Sequence, residues 1–204
     1  MTYPAFYDEA PRITVRDPLS DFLGAAEDGL MEYRYLDAVH LAGHSCPTVA
    51  GAWLMARAAL RALYGDATPE RGAVTVRMPS APDEGVTGVM AQVFTLVTGA
   101  AADNGFHGIG GHFVRQGLLR YADNVPGEPI TFHRRDNGKT VGVELDLRTV
   151  PPAPNLRELL VAAIDPAASA TQRQTFADAW QGRVRKLLLE HADDAQVVRV
   201  TRVN

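Results

Sequence analysis

Apolar residues return every three or four positions between Pro47 and Tyr64, at Val49, Trp53, Ala56, Leu60 and Leu63, which predicts a helix with one buried face. Pro47 suits the first helical position, where its missing N–H has no partner to lose, and Gly65 closes the run. The period then changes to two. Val74, Val76 and Met78 alternate with Thr75 and Arg77 until Pro79, the pattern of a strand. A second helix is expected after Asp83 and Glu84, whose charges complement its positive end; Val86, Met90, Val93, Phe94 and Val97 form its stripe and Gly99 ends it. Residues 130–134 and 140–147 alternate on either side of Asp136-Asn137-Gly138, a favoured hairpin turn.

The flanks are less regular. Pro4, Pro11 and Pro18 punctuate residues 1–29, which read as an arm packed on the core, with room for a short helix after Asp17. Met31, Tyr33 and Tyr35 alternate with Glu32 and Arg34 as an extended segment, and Asp37 then caps a short helical turn through His40. Residues 113–121 read as extended. After Pro151, Pro152 and Pro154, Asn155 with Glu158 resembles a capping box. Residues 171–191 carry Phe176, Trp180, Val184 and Leu187 on one helical face, and residues 196–203 suit a final strand. The order of helix, strand, helix and three strands argues an α+β fold with helices on one face of a mixed or antiparallel sheet. Three segments follow: an arm over 1–29, a core domain over 30–150 and a C-terminal helical extension over 151–204.

Composition narrows the function classes. The 204 residues suffice for a full hydrophobic core. With a formal charge of -4 and scattered arginines, the chain has no basic block for a nucleic-acid backbone. No apolar run approaches a membrane span. One cysteine excludes an internal disulfide, and the first residues lack the regions of a signal peptide, so the expected compartment is the reducing cytoplasm.

The chemistry concentrates in residues 37–51, which hold His40, His44 and the single cysteine, Cys46, just ahead of the Pro47 helix. A helix N-terminus favours an anion such as a thiolate, which is both a metal ligand and a nucleophile. Imidazoles a few residues away are the usual nitrogen partners of such a sulfur on zinc. His40 and His44 share one face only if the helical turn runs that far, and Gly43 argues against it. Residues 100–112 bring His107 and His112 among Gly105, Gly108, Gly110 and Gly111, a backbone suited to turns or to close approach of a ligand. These histidines are the remaining candidates for the site. The glycines between 105 and 111 do not follow a strand and open a helix, so they are not a dinucleotide fingerprint.

Gly43-His44-Ser45-Cys46-Pro47 followed by a helix with Gly51, the second helix from Asp83 to Thr98-Gly99 leading into a glycine-rich loop, and Asn137-Gly138-Lys139 in the closing hairpin together resemble the FmdE family of formylmethanofuran dehydrogenase proteins. The resemblance covers roughly residues 30–150. It implies a helix-strand-helix-three-strand core, a homodimer, and a zinc-like ion near the histidine and cysteine of the motif. Ala42 stands where family members commonly carry a further histidine, which leaves His40, His107 or His112 to complete the ligand set. The C-terminal cysteine-rich finger of many members is absent. Three functions are compatible: a metal-binding protein whose ion opens on a small-molecule pocket, a metal-independent enzyme with Cys46 as nucleophile and His44 or a loop histidine as base, and a non-catalytic dimeric subunit of a redox complex.

Overall fold

A computed structural model describes residues 2–122 and 127–203. The N-terminal segment forms α1 (Phe6–Glu9), β1 (Ile13–Arg16), α2 (Pro18–Phe22) and β2 (Leu30–Tyr33), and leads into α3 (Tyr35–Ala42). The core continues through α4 (Pro47–Tyr64), β3 (Val74–Met78), α5 (Thr87–Thr98), β4 (Leu119–Tyr121), β5 (Ile130–Arg134) and β6 (Thr140–Leu145). The C-terminal part adds α6 (Leu156–Ile164), α7 (Ala170–Arg185) with a π-helical turn at Lys186–Glu190, and β7 (Val198–Arg202). The fold is α+β. Among the described residues no helix is long and apolar enough to cross a membrane.

The main sheet has the order β4-β3-β5-β6-β7, with β3 and β4 parallel and every other pair antiparallel. Val74, Val76 and Met78 are buried while Arg77 is exposed, as their alternation requires. Helices α4 and α5 pack against each other and onto these strands. Phe94 of α5 meets Phe132 of β5 edge to face, their ring centroids 5.1 Å apart. Trp53 is fully buried in α4, and its indole N–H donates to Pro11 O at 2.9 Å, tying the N-terminal segment to the core.

The N-terminal segment is more ordered than its prolines suggest. β1 and β2 pair antiparallel with Ile13 opposite Tyr33 and Val15 opposite Met31. Tyr35, expected to continue the strand, instead opens α3, and Asp37 sits inside that helix, where its Oδ2 accepts the Arg34 N–H at 2.7 Å. The second core helix starts at Thr87, later than expected, because Gly85 adopts φ 56 and breaks the run; Val86 is left outside the stripe and exposed. Of the extended stretch expected over 113–121, only β4 is a strand, since Phe113 at φ 60 and Gly117 at φ 70 turn the chain. In the C-terminal part Asn155 makes no side-chain cap; the capping box belongs to Ser169 and Gln172 at the start of α7.

Candidate functional site

Helix α3 ends where Gly43 takes φ 73 and donates its N–H to Val39 O at 2.9 Å, the left-handed termination that glycine allows. Three residues later Cys46 is the extended N-cap of α4, and Pro47 begins the helix. The Val49 N–H donates to Cys46 Sγ at 3.4 Å, so the sulfur occupies the capping position usually taken by an oxygen. The thiol is buried.

His44 lies exposed in the turn between the two helices. Its Nδ1 is 2.9 Å from Ala42 O. A carbonyl only accepts, so Nδ1 carries the proton, and in the neutral ring Nε2 keeps its lone pair.

Ser45, between them, is clamped from behind. Buried Tyr35 donates its hydroxyl to Ser45 Oγ at 2.9 Å, and Ser45 in turn donates to Gln181 Oε1 at 3.1 Å, an oxygen that also receives the Tyr7 hydroxyl at 3.2 Å. The Ser45 carbonyl accepts from Trp180 Nε1 at 3.0 Å and Gln181 Nε2 at 3.2 Å. Burial pushes the Tyr35 phenol above its ordinary range, which keeps the hydroxyl a donor at any moderate pH. Helix α7 thereby fixes the turn carrying His44 and Cys46. Gln181→Leu removes both halves of this contact and leaves Ser45 short of partners. It is expected to cost about 1–3 kcal/mol in urea unfolding, and the Val49 amide is expected to exchange its hydrogen with solvent faster than in the wild type.

The three other candidate histidines are all exposed. His40, in the last turn of α3, is exposed and 3.0 Å through Nε2 from the Tyr3 hydroxyl. With α3 ending at Ala42, His40 and His44 do not share a helical face. His107 and His112 are exposed in the glycine-rich loop, where Ile109 and His112 exchange backbone hydrogen bonds of 2.9 Å across Gly110-Gly111. Among the described residues no three histidine, cysteine, aspartate or glutamate side chains stand close enough together to hold a metal ion.

A second feature has no local sequence signal. Asp17 is buried; its Oδ2 accepts from Arg71 Nη1 at 2.7 Å and its Oδ1 from Arg115 Nη2 at 2.6 Å, while Oδ1 also caps α2 through the Leu19 N–H at 2.9 Å. The partners are 54 and 98 residues away along the chain. Beside this cluster lies a cavity of about 690 Å³, bounded by α5, the loop at Asn104, Gly105 and Phe106, Leu41 of α3 and Tyr121 of β4. Neither His44 nor Cys46 is on its wall.

A family model described as FmdE, Molybdenum formylmethanofuran dehydrogenase operon, matches residues 41–195. The match takes in the turn with His44 and Cys46, the core from α4 to β6, and the C-terminal helices α6 and α7, beyond the residues that carry the resemblance in the sequence. No curated protein matches the chain.

Proposed function

The chain belongs to the FmdE family, and on that premise we propose that it is a metal-binding protein whose ion, zinc or a close relative, is held through Cys46 Sγ and His44 Nε2 and serves a small-molecule pocket. The observation that carries this reading is the hydrogen bond from His44 Nδ1 to Ala42 O, with the imidazole two residues ahead of a thiol at the start of α4. A backbone carbonyl on one ring nitrogen is the usual means of orienting a metal-binding imidazole, with the other nitrogen left as the donor. One soft sulfur and one imidazole suit zinc and make half of a four-coordinate set.

Because the described residues hold no group of three such side chains, we assign the remaining positions to water or a small ligand and to a donor from a second protomer, in the homodimer that the family resemblance implies. Exposed His40, His107 and His112 are the candidates for that donor. When bound, such an ion supplies a Lewis acid or an activated water. The chain's own part is to hold the ligands: Ala42 O orients the ring, the Val49 N–H steadies the sulfur, and the Ser45 clamp fixes the turn between them. A metal-independent nucleophile has less support, since the buried sulfur is bonded to the Val49 N–H rather than to an imidazole.

Elemental analysis tests the reading. Protein purified without chelator is expected to carry about one transition-metal equivalent per protomer, and Cys46→Ala and His44→Ala each to retain less than about a tenth of it. Wild-type protein that is metal-free across preparations, or a Cys46→Ala protein with unchanged content, defeats it. Light scattering that finds only monomer removes the second-protomer donor.

A further inference from the structure

The cavity beside α5 has the wall of a binding site for an anion with an apolar body. Leu19, Leu41, Leu96, Leu119 and Phe106 supply hydrocarbon, and the neutral polar groups are Gln92, Thr95, Asn104 and Tyr121. Among the described residues, the charged ones lining it are Arg71 and Arg115, with no aspartate or glutamate. Its volume of about 690 Å³ lies within the roughly 300–1,000 Å³ range of small-molecule sites.

The charge balance decides the sign of the ligand. Two guanidiniums share the single carboxylate of Asp17, which leaves this cluster in the cavity wall with an excess of one positive charge. The Arg115 side chain is 8% exposed, and its buried Nε–H has no hydrogen-bond acceptor among the described residues. Buried donors are nearly always satisfied, and this one, sealed even from water, leaves the Arg115 charge incompletely compensated by the chain's own acceptors. Glu70, the next carboxylate acting on Arg115, lines a second, smaller cavity that Arg71 and Arg115 also border, and there Arg135 adds a further positive charge beside it.

We infer that this cavity binds a small amphipathic carboxylate, its apolar body against Leu41, Leu96 and Phe106 and its oxyanion against Arg71 and Arg115. A monoanion balances the single excess charge, which favours a carboxylate over a phosphate dianion; guanidinium donors suit its two oxygens. The inference stands on the cavity alone and does not need the metal.

Calorimetric titration with butyrate, phenylacetate and decanoate, each beside its uncharged amide, tests it on the full chain as purified, with metal content recorded on the same sample. At least one carboxylate is expected to bind saturably and at least about tenfold more tightly than its amide. Ala102→Trp, which fills the cavity from its wall and removes no hydrogen-bond partner of Arg71 or Arg115, is expected to abolish binding while the protein still unfolds cooperatively. Should that variant misfold, Gln92→Trp from α5 fills the same space. Amides that bind as well as the acids, a filled cavity that still binds, or no saturable binding below about 10 mM overturns the inference. So does binding that disappears when a chelator strips the metal, because the carboxylate then sits on the ion. Carboxylate binding by metal-free protein upholds the inference even where the metal reading fails.

Discussion

Asp17→Ala is expected to lower the unfolding free energy by about 3–5 kcal/mol, as the loss of one partner from a buried ion cluster does. The side chain is 4% exposed, against 20% for Arg71 and 8% for Arg115, so both guanidiniums lose their shared counter-charge in places where water cannot fully replace it. The same carboxylate caps α2 through the Leu19 N–H and so joins the N-terminal segment to the start of β3 and to the glycine-rich loop. Asp17→Asn keeps the shape and one acceptor oxygen and is expected to lose less. The measurement is the urea midpoint at constant m-value. A loss under about 1 kcal/mol, typical of a surface pair, shows that the arginines find solvent and that the cluster does not bind the segments together.

The second large effect is expected at Gly72. Its φ is 92, where a side chain is strained, and an added Cβ runs into the guanidinium of Arg115. Alanine there costs about 1–2 kcal/mol for the backbone and about 1–3 kcal/mol more for displacing Arg115 from Arg71 O, a 2.6 Å bond. Burial pulls the Arg115 guanidinium below its ordinary pKa and Asp17 opposes that pull, so the group depends on staying where its partners are. Gly72→Ala is therefore expected to lose about 3 kcal/mol in the same urea assay. Combined with Asp17→Ala it loses less than the sum of the two, because both changes break one network. Full additivity contradicts a shared cluster.

The elements that the sequence made legible are those whose instructions are local. Pro47, the three-to-four spacing through Leu63 and Gly65 bound α4 at both ends, and Asp136-Asn137-Gly138 fixes the β5–β6 hairpin. The family resemblance was legible for the same reason, since Gly43-His44-Ser45-Cys46-Pro47 is contiguous and is also the turn between two helices. Misplaced boundaries came from single backbone choices: Gly85 delays α5, and Phe113 and Gly117 break the loop before β4.

What could not be read depends on tertiary distance. Nothing near Ser45 announces that Gln181, 136 residues on, will hold its hydroxyl and carbonyl. Nothing near Asp17 announces Arg71 or Arg115; as an aspartate before a proline it reads only as a helix cap, a role it also fills. The histidines show the limit of composition. Proximity along the chain put His40 with His44, yet the termination of α3 at Gly43 takes them off one helical face, and His107 and His112 lie exposed in a loop that turns at Gly110-Gly111.

X-ray absorption at the metal edge of the purified protein probes the proposed centre most directly. Cys46 and His44 as ligands predict one sulfur at about 2.3 Å and nitrogen at about 2.0–2.1 Å around zinc, with the sulfur shell gone in whatever metal Cys46→Ser retains. A shell of nitrogen and oxygen alone in the wild type contradicts the assignment of the thiol to the ion.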